Sequence, residues 1–162
     1  MTNIRSAQRS AASPRGLVQL ALRLICAAGL GVDAYVHLHL AANYDAVRTS
    51  ALSEGQLFRL EAGMAALAGV FVLISARRIA AIAAVMVAGG GLALLLIYRF
   101  VQVKAFGPIP SMYEPVWFTE KTLTAWAQAA ATVAALALLA LSRQPTPVRP
   151  NRHEPSATRR TP

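Results

Sequence analysis

Asp33 and His37 stand four residues apart in the run DAYVHLHL, residues 33–40. On an α-helix that spacing stacks a carboxylate and an imidazole on one face. Such a pair can hold a proton or hydrogen-bond a solute. His39 falls about 200° around the helix from His37, so the two histidines do not address one partner helix. Other polar side chains occur in comparable contexts. Arg59 and Glu61 lie in LFRLEAG (57–63), Tyr98 and Arg99 lie in the run LLIYRF, and Glu120, Thr124, Gln128 and Thr132 recur every four residues. The last set draws a polar stripe along a helix that is otherwise apolar.

The segments that carry these residues are long and apolar. Residues 17–41, 57–76, 79–99 and 119–142 each meet the roughly 20 residues needed to cross a hydrocarbon core of about 30 Å. The 162-residue chain is 56% hydrophobic and 14% charged, against about one quarter charged in a soluble protein. A spanning segment must satisfy its own backbone amides, which leaves helices or closed barrels. Continuous apolar runs without period-2 alternation exclude the barrel. The expected fold is all-α, a transmembrane four-helix up-down-up-down bundle, with small residues such as Ala65, Gly69 and Gly89–Gly91 allowing close packing. Gly89–Gly91 could alternatively serve as a hinge.

Charge orients the bundle. Of the groups behind the net charge of +9, Arg5, Arg9 and Arg15 precede the first span, Arg77 and Arg78 form the turn between the second and third, and Arg143, Arg149, Arg152, Arg159 and Arg160 follow the fourth. By the positive-inside rule these face the cytoplasm, so both termini lie inside and loops 42–56 and 100–118 lie outside. A multi-pass protein of the plasma (inner) membrane follows. The lipid bilayer is its main partner, and basic residues flanking spans give no reason to invoke nucleic acid. Residues 1–15 and 143–162, rich in Pro, Ser, Thr and Arg, read as disordered tails on a transmembrane domain of residues 16–142.

Depth ranks the polar residues. Counting inward from residue 41, Asp33 lies about 12 Å below the outer boundary and His37 about 6 Å. A charged aspartate at mid-membrane carries a penalty of about 2.5–3.5 kcal/mol, so Asp33 must be neutral, paired or beside a hydrated cavity. Glu61 matches the depth of His37, and Gln128 that of Asp33. Asp33, His37, Arg59, Glu61, Arg99 and Gln128 are therefore the expected lining of an outward-facing pocket. The outer loop FGPIPSMYEPVWF (106–118) is stiffened by Pro108, Pro110 and Pro115. It reads either as an aromatic interface belt or as a lid bringing Tyr113, Glu114 and Trp117 to the bundle mouth.

Several chemistries lack their residues. Cys26 is the only cysteine, so neither an intramolecular disulfide nor a cysteine-built metal site can form. Both membrane histidines belong to one span, which disfavours a bis-histidine haem, and no metal or other cofactor is expected. No phosphate-cradling loop, nucleophile elbow or HExxH motif is present, so a non-catalytic role is favoured. Three functional classes stay open: a pocket binding or passing a small polar solute, ion or proton; a scaffold or accessory subunit contacting other membrane proteins; and a small oxidoreductase subunit with haem or quinone.

The runs DAYVHLHL, LFRLEAG, LLIYRF and GPIPSMYEPVWFTEKTL together resemble the uncharacterised small four-span integral membrane proteins of actinobacteria. The likeness covers residues 17–142. It implies a plasma-membrane protein and supplies no catalytic residues. A similarity to DoxX-like four-helix membrane proteins is architectural only.

Overall fold

The computed structural model describes residues 13–142. Residues 1–12 and 143–162, expected as disordered tails, lie outside the described residues. Four helices make up the described chain: α1 (Pro14–Ala41), α2 (Glu54–Ile74), α3 (Arg78–Phe100) and α4 (Thr119–Ser142). Among the described residues there are no strands, only isolated backbone bridges in the loops. Each helix is long and apolar enough to cross a membrane.

Local chemistry fixes the helix starts. Ser13 caps α1, its hydroxyl accepting from Gly16 N at 3.2 Å, and Pro14 occupies the first turn, where its missing N–H costs nothing. Pro14 and Arg15, expected in the tail, therefore belong to the helix. At α2 a capping box forms: Ser53 Oγ accepts from Gln56 N at 3.1 Å, and Gln56 Oε1 accepts from Ser53 N at 2.9 Å. It starts α2 at Glu54, three residues before the apolar run that marks it in the sequence.

Bulk and smallness are sorted inside out. Leu24, Leu67, Ile74, Met86, Trp126 and Val133 project outward, whereas the core holds Ala62, Ala65, Ala68, Ala84, Ala88, Ala131, Ala134 and Ala135 around Leu30 and Val72. Lipid tails solvate large side chains as well as a protein core does, so close backbone approach is what holds the helices together. Gly29 is the clearest case: a Cβ there would stand 2.6 Å from Ala127 O and 3.0 Å from the Ala131 methyl. Gly69 faces Ala27 and Leu30 with more room, since a Cβ there would stand at an ordinary 3.5 Å from Leu30 Cβ.

α3 is not uniform. Residues Val85–Gly89 form a π-helical turn between Arg78–Ala84 and Gly90–Phe100. At its end Gly89 faces Thr132, and beyond it Gly91 faces Gln128 and Glu61 while Gly90 faces open space. Two of the three consecutive glycines thus serve contacts with neighbouring helices.

Candidate functional site

The sequence-predicted residues separate into two groups. Asp33, wholly buried, sits at the centre of the first. Its Oδ1 accepts from Gln128 Nε2 at 2.9 Å and lies 3.0 Å from His37 Nδ1. His37 Nδ1 also lies 3.0 Å from the Asp33 carbonyl oxygen. A carbonyl only accepts, so Nδ1 carries the proton and Nε2 is left to address a ligand. The His37 ring meets Phe58 edge-on at 5.2 Å. His39, on the opposite face, is exposed and stacks on Tyr35 at 5.9 Å.

α2 and α3 complete the cluster. A Cβ on Gly91 would collide with the Gln128 amide and stand 3.0 Å from Glu61 Oε1, so the absence of a side chain there lets α1, α2 and α4 bring polar groups to one place. Four buried oxygens in this region have no protein partner: Asp33 Oδ2, Glu61 Oε1, Thr124 Oγ1 and Gln128 Oε1. Three are acceptors only, provided the carboxyls are ionised, and the hydroxyl can also accept. The cluster is short of donors.

A cavity of about 310 Å³ opens beside it. His37, Glu61 and Thr124 contribute polar side chains to its lining beside Gly91, with Tyr44, Glu54, Tyr98, Tyr113, Glu114 and Lys121 nearer the helix ends and loops. Most of the remaining wall is apolar, including Leu57, Phe58, Met64, Leu94 and Met112. Asp33 and Gln128 are not part of this wall. They stand behind it, fixing His37 from the rear, much as a carboxylate orients a histidine in other sites.

Arg59 and Arg99 go elsewhere. Arg59 makes a two-pronged pair with Asp45, 2.8 Å from each carboxylate oxygen, at the exposed surface of loop 42–53. Its guanidinium holds the Asp45 carboxyl below the usual carboxylate range, and the Ser53 hydroxyl, 3.2 Å away, adds to the effect. Gly55 is required beside this pair, because a Cβ would strike Ala41 O and Asp45 Oδ1. Arg99 lies 4.7 Å over the Trp117 ring and donates to Pro115 O at 3.4 Å. Neither arginine lines the cavity.

Loop 101–118 folds over the cavity as a small hairpin. Val103 and Met112 exchange backbone bonds at 3.0 and 2.9 Å, and Phe106 and Ile109 exchange two at 3.1 Å. Only Gly107 and Pro108 lie between the latter pair. Gly107 has φ +55°, and proline cannot follow it into positive φ, so the turn is of type II′. The hairpin is tied down at several points. Tyr44 donates to Glu114 Oε2 at 2.8 Å, Thr49 Oγ1 to Pro108 O at 2.8 Å, Glu114 N to Tyr98 O at 3.0 Å, and Lys121 Nζ to Glu114 O at 3.0 Å. Tyr113 and Glu114 line the cavity, while Trp117 bonds Thr122 Oγ1 at 2.7 Å outside it.

Sequence reasoning passed over Tyr44, Glu54 and Tyr98 as lining residues, and Gly91 as the clearance between helices. Glu54 was hidden because it precedes the apolar run, although the S-x-x-Q capping pattern of Ser53 and Gln56 marks that helix start. Gly91 carries no signal separating it from Gly90. Among the described residues no three His, Cys, Asp or Glu side chains gather closely enough to hold a metal ion. Compared with family models, curated proteins and solved structures, the chain matches none.

Proposed function

We propose that the protein is a membrane-embedded binding module that takes a small solute into the capped cavity. The ligand class favoured is one with an apolar body and a hydrogen-bond-donating or cationic head, such as a protonated amine. The observation carrying this reading is the unpartnered Glu61 Oε1 and Thr124 Oγ1 on residues that line a largely apolar cavity, with Asp33 Oδ2 and Gln128 Oε1 likewise unpartnered behind its wall. Buried polar atoms are normally satisfied, and a donor-bearing ligand or a proton would satisfy these. His37 Nε2 and Glu61 are the contacts proposed for its head. Asp33 and Gln128 are positioning residues acting through His37, and the hairpin carrying Tyr113 and Glu114 excludes solvent from above.

The helices are read as an up-down-up-down bundle with both termini in the cytoplasm and the cavity opening outward across the plasma membrane. Supporting this is the order of contacts, in which Phe58 meets His37 whereas Gly69 meets Leu30, and Arg15 bonds Leu141 O. Arg15, Arg77 and Arg78 at the opposite end supply the positive-inside bias.

The test compares phenethylamine with 3-phenylpropionate and glucose on the full-length protein in nanodiscs, using thermal stabilisation as the readout. Phenethylamine alone should raise the midpoint, and Glu61→Gln should abolish the rise. Equal stabilisation by the acid, or by glucose only, overturns the proposed ligand class. A second reading, a non-catalytic scaffold, is favoured by one fact: Asp33 and Gln128 bond each other behind the cavity wall, as interhelical glue would. It requires that no probe bind and that Gln128→Leu lower stability alone.

A further inference from the structure

At the other end of the bundle, about 20–35 Å along α1 from His37 by the helical rise, lies a second recess of about 400 Å³. Arg15 and Arg23 of α1 line it together with Arg77 and Arg78 of the α2–α3 turn. No acidic residue lines it among the described residues. The six acidic residues of the described chain, Asp33, Asp45, Glu54, Glu61, Glu114 and Glu120, all belong to the opposite end or its loops. Four arginines from two parts of the chain thus line one recess without a carboxylate among its described lining residues.

Arg23 is the least expected of the four. It sits eight residues inside Arg15, about 12 Å deeper along the helix, and is half-buried. A cation at that depth is costly unless its stem carries the charge toward the interface or an anion comes to it. Arg15 is already oriented, donating to Leu141 O at 2.8 Å and so satisfying a carbonyl at the end of α4. Below the charged mouth the wall turns apolar, with Val72, Ala80, Ala81 and Leu138.

We infer that this recess is a binding site for the phosphate-bearing headgroup of an anionic glycerophospholipid. Guanidinium forks match phosphate oxygens in pairs, which point charges do not. A recess at a bundle end lies at headgroup level whichever way the protein faces, and its apolar floor continues into the layer that holds acyl chains. The headgroup's charge supplies what the described lining residues do not, and the recess shares no lining residue with the cavity at the acidic end.

The experiment uses the full chain, purified from mixed vesicles of phosphatidylglycerol and phosphatidylcholine, with retained lipid measured by native mass spectrometry. Phosphatidylglycerol should be retained about tenfold over phosphatidylcholine, and Arg77→Gln with Arg78→Gln should bring the ratio near one. Arg48→Gln with Arg59→Gln removes equal charge from the acidic end and should leave the ratio unchanged. If both pairs lower it alike, the preference is a property of overall charge and the site is refuted. Should the neutral pair fail to insert, Arg77→Lys with Arg78→Lys keeps the charge and removes the forks. A severalfold fall in the ratio supports the site, and an unchanged ratio refutes it. Displacement of the lipid by inorganic phosphate at equal concentration would assign the recess to a free anion instead and overturn the lipid proposal.

Discussion

The two ends of this bundle handle charge in opposite ways, although the same four helices build both. At the acidic end, Asp33 is bonded by His37 and Gln128, Asp45 by Arg59, and Glu114 by Tyr44, with a hairpin folded over them. At the arginine end Arg15, Arg23, Arg77 and Arg78 line a recess with no carboxylate among its described lining residues. Asp33, deep in the bundle, finds its partners within the protein, because hydrocarbon offers none. Groups near the headgroups can leave their partners to the membrane.

The sharpest attack on that contrast is Gly91→Leu. Its side chain would drive into the Gln128 amide and Glu61, so phenethylamine stabilisation should vanish and the protein should lose at least about 1–3 kcal/mol from overpacking. Gly90→Ala, one residue away and facing open space, should stay within about 0.5 kcal/mol of the parent. Similar losses in both variants would mean that the clearance at Gly91 is not special.

Ala135→Leu tests whether the ends are independent. Ala135 is wholly buried in the alanine core, and overfilling it should again cost about 1–3 kcal/mol, yet probe affinity at the acidic end should persist in the folded fraction. Loss of affinity in that fraction would couple the two halves. A double-mutant cycle of Asp33→Asn and Gln128→Leu, read by unfolding in detergent, should give a coupling of about 0.6–1.7 kcal/mol, the range of membrane interhelical hydrogen bonds. Zero coupling would remove the pair from any positioning role.

The smallest effect belongs to Asp45→Asn. Because pairing with Arg59 depresses the Asp45 carboxyl, its contribution is present above the ordinary carboxylate range. It is lost as pH falls through the lower folded value. Acidification below about pH 4 should therefore loosen loop 42–53 toward limited proteolysis in the parent, while the Asn variant should be looser already at neutral pH and indifferent to acid. The pair is exposed, so global unfolding should barely move.

Helix number and extent were legible in the sequence because hydropathy over some twenty residues is a strong, additive signal. Depth matching also put Gln128 level with Asp33, where the structure has them bonded. Arg59 and Arg99 were harder to place, since a long flexible stem gives an arginine several reachable partners and sequence spacing does not choose among them. Asp45 won Arg59 through a loop conformation that depends on Gly55 and the Ser53 cap. The wall of the cavity depended on rotations about the helix axes, and a π-turn shifts the facing of everything beyond it in a way that no apolar pattern announces.

That π-turn has one more consequence. Val85–Gly89 contains a surplus residue relative to regular α-helical winding. Removing one residue there would let α3 wind as a continuous α-helix and rotate Gly90–Phe100 by about 100° against Arg78–Ala84. Gly91 would then leave Gln128 and Glu61, and a different side chain would take its place. The last eleven residues of α3 are in effect a dial whose setting is held by one extra amino acid, and that setting decides which side chains the cavity presents.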